Sequence, residues 1–126
     1  MVQGARGESI LMVDDQEVRV LFTNRALAEA EKHLGRTMMT LARDASALNM
    51  GFGDVATLLR VGMEAARRDG GGQGRPVTQN DAFRVMDAIG FTAASDVVLN
   101  GLGTVLAYDP SEDETDGAEA EVPPPA

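Results

Sequence analysis

One stretch of the sequence, residues 22–35, carries the signals of a complete short helix and decides where the rest of the chain must change structure. It reads FTNRALAEAEKHLG. Thr23 or Asn24 can cap its start, because a side-chain oxygen there accepts a hydrogen bond from an unpaired backbone N–H one turn ahead. Gly35 stands where a helix commonly ends in a left-handed conformation. The apolar residues on one face recur at helical spacing: Leu27, Ala30 and Leu34.

The residues before this helix predict a β-hairpin. Residues 9–13 form a short apolar run, and residues 17–22 alternate between apolar and polar side chains except at Leu21. Asp14-Asp15-Gln16 lies between them, and Asp favours turns because its side chain bonds to nearby backbone. Two strands alone are marginal in water, so the hairpin must lay its apolar face on helices.

The residues after this helix predict four more helices with short links. The expected fold is therefore mainly α (α+β), a hairpin followed by about five short helices. The predicted spans are 24–34, 37–48, 54–68, a helix that Thr78 caps and Gly90 ends, and 93–107. Thr78 and Asp81 have the spacing of a capping box. Phe91 is expected to fold back on Met86, as in a Schellman ending.

The charge divides the chain into two regions. Residues 109–126 carry seven acids and no base, which leaves 13 acids and all 11 bases in residues 1–108. We expect residues 1–108 to form one helical domain and 109–126 to be a disordered acidic tail, since the tail has almost nothing to bury. Nucleic-acid affinity depends on Lys and Arg at phosphates, so neither region suggests a nucleic-acid partner.

The sequence offers no set of residues that could carry catalysis. There is no cysteine, and His33 is the single histidine. A histidine near a helix C-terminus is typical of a surface or capping position. We therefore predict a non-enzymatic protein with no catalytic, cofactor-binding or metal-binding residue. No apolar run approaches the roughly 20 residues that span a bilayer, and the first nine residues lack the apolar stretch of a signal peptide, so no membrane role is expected.

Two segments superficially resemble ligand-binding loops but lack the residues or spacing that such loops require. The run Gly70–Pro76 has no Lys, contains a proline and follows a helix, so it lacks the features of a phosphate-binding loop. We expect it to be a flexible linker. The acidic residues from Asp109 to Asp116 do not fit the spacing of a calcium loop.

The fifth predicted helix is the best candidate for an interface. It is apolar over a wide arc, so it must be buried on more than one side. The domain's own core, a second copy of the chain and a client helix are all open as the buried partner. The candidate partner-binding residues on this helix are Val97, Val98, Leu102, Val105 and Leu106.

Glu31 is the one charge beside the apolar stripe of the first helix. It has two interpretations. An ion pair at the helix end with Arg36 or Arg43 would make it structural, whereas an anchor for a basic side chain of a partner would make it functional.

The order of these elements resembles a known family. Gly7-Glu8-Ser9, the hairpin, FTNRALAEAEKHLG, MMTLA and DVATLLRVGMEAA are similar to the tail assembly chaperones that gene transfer agents and related prophages encode. The matching positions are 26–31, Leu34-Gly35 and 58–63. The resemblance covers residues 7–68 well and 78–107 loosely. The family hairpin usually turns through Asp-Gly, whereas this chain has Asp15-Gln16, and the glycine loop and acidic tail look like local additions.

The resemblance implies a role without chemistry. Such a chaperone binds the long helical tape measure protein and keeps it soluble until the tail tube polymerises around it. The tail tube protein and further copies of the chain are the other partners that this role allows. The expected location is the bacterial host cytoplasm, and the chaperone is absent from the mature particle.

Two other classes compete with this interpretation. A structural tail or head–tail component would stay in the particle. A small regulatory module would bind DNA or a transcription partner, but the nearly neutral domain and acidic tail disfavour it.

Overall fold

The computed structural model describes residues 6–47 and 49–107. A two-stranded antiparallel hairpin precedes five helices, which confirms the predicted fold class. The elements are β1 Gly7–Val13, β2 Gln16–Phe22, α1 Asn24–Leu34, α2 Met38–Ser46, α3 Phe52–Asp69, α4 Gln79–Ile89 and α5 Phe91–Leu106. The acidic tail predicted for residues 109–126 lies outside the described residues.

The hairpin closes through a two-residue turn. Val13 pairs with Gln16, so Gln16 belongs to β2 and the turn is Asp14-Asp15. Both aspartates have positive φ, 51° and 68°. Two residues of positive φ define a type I′ turn, whose twist matches that of the flanking strands.

Local capping explains why α1 begins and ends where the sequence predicts. The Thr23 side chain accepts a hydrogen bond of 3.1 Å from the Ala26 N–H. Gly35 adopts φ 67°, and its N–H donates to the Glu31 carbonyl. The predicted capping box of α4 is also present: the Asp81 N–H donates to the Thr78 hydroxyl, and the Thr78 N–H donates to the Asp81 carboxylate.

Three predicted helix boundaries are wrong. α2 ends at Ser46, two residues before the predicted end at Leu48, which lies outside the described residues. α3 begins at Phe52, because the Asp54 carboxylate accepts from the Gly51 N–H and so caps an earlier turn. Gly90 has φ 92° and ψ 154°, which is not the left-handed Schellman geometry, so Phe91 opens α5 directly.

The hairpin lies with one face on α3 and α5, and glycines allow the close approach. A Cβ added at Gly62 would lie 2.5 Å from Val20 Cγ1, and one at Gly101 would lie 2.2 Å from Phe22 Cδ2. A Cβ at Gly7 would lie 2.9 Å from the Gly101 carbonyl oxygen. The core between hairpin and helices is aliphatic apart from the Phe22 ring, as the scarcity of aromatic residues requires.

Candidate partner-binding surface

The predicted interface residues of α5 divide between the core and the surface. Val98 and Leu102 are each 1% exposed and Val105 is 7% exposed, all within the core of this domain. These three side chains cannot reach a partner in this structure, so the interpretation of a buried core helix applies to them. Val97 is half-buried against the core, and Leu106 is 40% exposed. The wide apolar arc of α5 is buried within this domain because α5 packs on the hairpin, α2, α3 and α4.

Glu31 makes a contact that neither interpretation of its charge includes. Its carboxylate accepts a hydrogen bond of 2.7 Å from the Met38 N–H, the first residue of α2. Within residues 6–47 and 49–107 Glu31 forms no ion pair with Arg36 or Arg43, and the Arg36 guanidinium binds Asp44 and Asp54 at 2.9 and 2.6 Å. Glu31 therefore stabilises the start of α2, where an acceptor and a negative charge are both favourable. The role of Glu31 as an anchor for a partner's base stays a prediction.

One apolar surface lies between α2, the start of α3 and α5. The Phe52 side chain is 64% exposed, and its ring centroid lies 4.4 Å from that of Phe91. Phe91 also lines a cavity of about 70 Å³. We name this surface the Phe52 patch, and its apolar members are Phe52, Phe91, Ala45, Met50 and Leu99.

Two polar groups adjoin the apolar members of the Phe52 patch. Asp96 lies at the cavity wall, and so does Ser95. The Ser95 hydroxyl oxygen is buried and has no hydrogen-bond partner among residues 6–47 and 49–107. An unpaired buried hydroxyl costs about 1–3 kcal/mol. A ligand group that reached the cavity could satisfy it.

Sequence reasoning missed the Phe52 patch. Phe52 lies between the predicted helices 37–48 and 54–68, flanked by Gly51 and Gly53. One signal could have drawn attention to it, since it is one of only four phenylalanines in the chain and no apolar periodic run contains it. Other exposed apolar side chains are Ile10 and Met12 on the outer face of β1, and Met39 in the first turn of α2.

A network of charged residues lies near the C-terminal end of α3. The Glu64 carboxylate accepts from the guanidinium groups of Arg67 and Arg68 and from the Val77 N–H. The bidentate Arg67 contact is the main cause that lowers the pKa of Glu64 to about 2. Arg67 also donates to the Gly72 carbonyl at 2.6 Å. The glycine loop, predicted as a flexible linker, is thus tied to α3.

A second groove, with basic side chains, lies between α1 and the last turn of α3. Its volume is about 480 Å³, and Arg25 and Arg68 line it beside Glu29 and Asp69. A neighbouring depression of about 280 Å³ along α1 shares Arg25 and Glu29 and adds Lys32. We name the two together the α1–α3 groove.

The described residues contain no group of three or more His, Cys, Asp or Glu side chains placed to hold a metal ion. His33 lies exposed in the last turn of α1. None of the described helices is by itself long and apolar enough to cross a membrane; α4 and α5 meet that test by length and composition only as a pair, bent by 116°. Comparisons with protein-family models, curated proteins and solved structures found no match to this chain.

Proposed function

We propose that this chain is a tail assembly chaperone that binds the tape measure protein and keeps it soluble while the tail tube forms. The observation that carries the proposal is the Phe52 patch, in which the exposed Phe52 ring packs on the half-buried Phe91 ring near Met50. The resemblance of residues 7–68 to that chaperone family supports the same class.

The patch suits an amphipathic client helix. Such a helix binds a groove through apolar side chains at i, i+3 or i+4, and i+7. The tilted Phe52 and Phe91 rings offer an apolar platform, and the cavity beside Phe91 has room for part of one side chain. Met50 adds an adaptable contact, since methionine tolerates differently shaped partners.

The energy of one such contact favours reversible binding. Covering the exposed part of Phe52 contributes about 1–2 kcal/mol. Many copies spaced along one long client would protect it collectively, and each copy could still leave when a tube subunit arrives. The net charge of −9 keeps such a complex soluble.

The proposal places the chain in the bacterial host cytoplasm, with the tape measure protein as client. The tail tube protein, or a second copy of this chain, would meet the complex at its remaining surfaces. No step requires a cofactor or a bond-forming residue.

Coexpression tests the proposal. The tape measure protein from the same gene cluster is produced with the wild-type chain, with Phe52→Ser or with Met39→Ser, and its soluble fraction and copurification are measured. Met39 is a matched control because it is 66% exposed and lies outside the Phe52 patch. We expect the wild type and Met39→Ser to keep the client soluble and Phe52→Ser to lose it.

Equal rescue by all three chains would contradict the role of the patch. A client that stays insoluble with the wild type would contradict the chaperone proposal itself. Helical circular dichroism of each variant confirms that the fold is intact.

A further inference from the structure

We propose that the acidic segment 109–126 of this chain docks by charge on the α1–α3 groove. The segment supplies seven carboxylates and no base, and the groove supplies Arg25 and Lys32, which form no ion pair within residues 6–47 and 49–107. The contact is electrostatic and needs no helix or strand in the segment.

Two basic side chains of the groove have no carboxylate partner in the described part of the chain. The residues there that bind a carboxylate at 3.0 Å or less are Arg19, Arg36, Arg67, Arg68 and Arg75. Arg25 and Lys32 have no such ion pair within that part of the chain, and both are exposed on one side of α1. They are available for a partner that brings its own negative charge.

Arg68 and Arg6 extend the positive character of this region. Arg68 lines the groove, is 52% exposed and lies 3.5 Å from Glu29. Its Nε stays bound to Glu64 at 3.0 Å. An ion pair as exposed as the one between its Nη1 and Glu29 is worth little, so this contact alone can be exchanged for another carboxylate. Arg6 reaches Asp69 at the end of the groove at a distance of 3.3 Å.

The described chain ends at the same end of the molecule as this groove. Gly7 packs on the last turns of α5, since a Cβ added there would lie 3.2 Å from Thr104 Cβ. Gly7 also pairs with Phe22, two residues before α1 begins. The C-terminal end of α5 and the first turn of α1, which holds Arg25, therefore lie at the same end of the molecule.

The length of the segment allows it to reach the whole groove. Asp109 is two residues beyond Ala107, the last described residue, and Glu121 is the last acid. An extended chain covers roughly 3.3 Å per residue, so this stretch can span about 40 Å. Because the contact is intramolecular, even weak attraction acts at an effective concentration on the order of millimolar.

The docking is separate from the proposed client surface. The groove lies at the C-terminal end of α3 and the Phe52 patch at its N-terminal end. The helix has 18 residues, and at 1.5 Å per residue the two ends are about 25 Å apart. Failure of one proposal therefore leaves the other standing.

Paramagnetic relaxation in the full chain tests the docking. The sequence has no cysteine, so Ala118→Cys gives a single site for a spin label. We expect amide signals of residues 25–32 and 65–69 to lose intensity when the label is paramagnetic. About 0.5 M NaCl, which shortens the Debye length to roughly 4 Å, should restore them.

A pair of double variants identifies the basic residues. Arg25→Gln with Lys32→Gln should restore the signals at low salt. Arg43→Gln with Arg84→Gln removes the same charge from two exposed arginines outside the groove and should leave the intensity loss unchanged. A loss that ignores salt, or one that both double variants relieve equally, would overturn the proposal, as would the absence of any loss in the groove.

Discussion

A single added Cβ atom can disturb the packing between the hairpin and the helices, as two glycines of α5 show. Gly101 faces the buried Phe22 ring, whereas a Cβ at Gly103 would meet nothing within 4 Å. The same substitution should therefore have opposite effects at positions two residues apart in one helix.

Gly101→Ala should lower the free energy of unfolding by about 1–3 kcal/mol, because the added methyl overlaps a buried ring that has little room to move. Gly103→Ala should raise it by about 0.5–1 kcal/mol, since alanine loses less backbone entropy in a helix. Urea unfolding followed by circular dichroism measures both. Equal effects of the two variants would show that Phe22 does not contact α5 as described.

Glu64 links stability to pH. Its pKa falls from an ordinary 4.5 to about 2 in the folded chain, mainly because Arg67 donates to its carboxylate. The folded state therefore binds this proton less tightly than the unfolded chain does. Its stabilising contribution is complete above about pH 4.5 and is lost as the pH falls towards 2.

Glu64→Gln should reduce stability at pH 7 by about 1–3 kcal/mol, since a charge-assisted network around Arg67 is lost. The variant should also lose less stability than the wild type between pH 5 and about 2.5. Arg75 lowers the pKa of Asp81 in both proteins, so the contribution of Asp81 to the pH dependence cancels when their stabilities are compared. Parallel pH profiles of the two proteins would rule out the proposed linkage.

Among the helices and strands, local hydrogen bonds make the ends of α1 predictable from the sequence, whereas tertiary packing decides the role of α5. The ends of α1 depend on Thr23 and Gly35, whose hydrogen bonds are made within one turn, so the sequence predicts them correctly. The role of α5 depends on which elements cover it, and its own periodicity cannot distinguish the domain's hairpin from a partner. Glu31 caps a different helix, seven residues along the chain.

The hairpin turn offers a test of an element. A type I′ turn needs positive φ at both central residues, which glycine adopts without a steric cost. Asp15→Gly should therefore stabilise the domain by about 0.5–1 kcal/mol, whereas Gln16→Gly, in the strand, should destabilise it. Thermal unfolding measures both. Destabilisation by Asp15→Gly would mean that the aspartate side chain contributes more than the strain it imposes.

On the scale of the whole molecule, α3 separates two kinds of surface. The apolar Phe52 patch lies near its start, and the basic α1–α3 groove lies near its end. A chain of this size that exposes Phe52 and carries a net charge of −9 combines an exposed apolar surface with a charge that favours solubility. That combination supports the proposal that the chain binds an apolar client transiently.

Quantitative mass spectrometry of infected or induced cells, and of the purified particles they release, distinguishes a chaperone from a particle component. A chaperone copurifies with the tape measure protein in cell extracts and is missing from particles that contain the tape measure and tube proteins. A stoichiometric amount of the chain in finished particles would contradict the chaperone proposal and would identify a structural tail component instead.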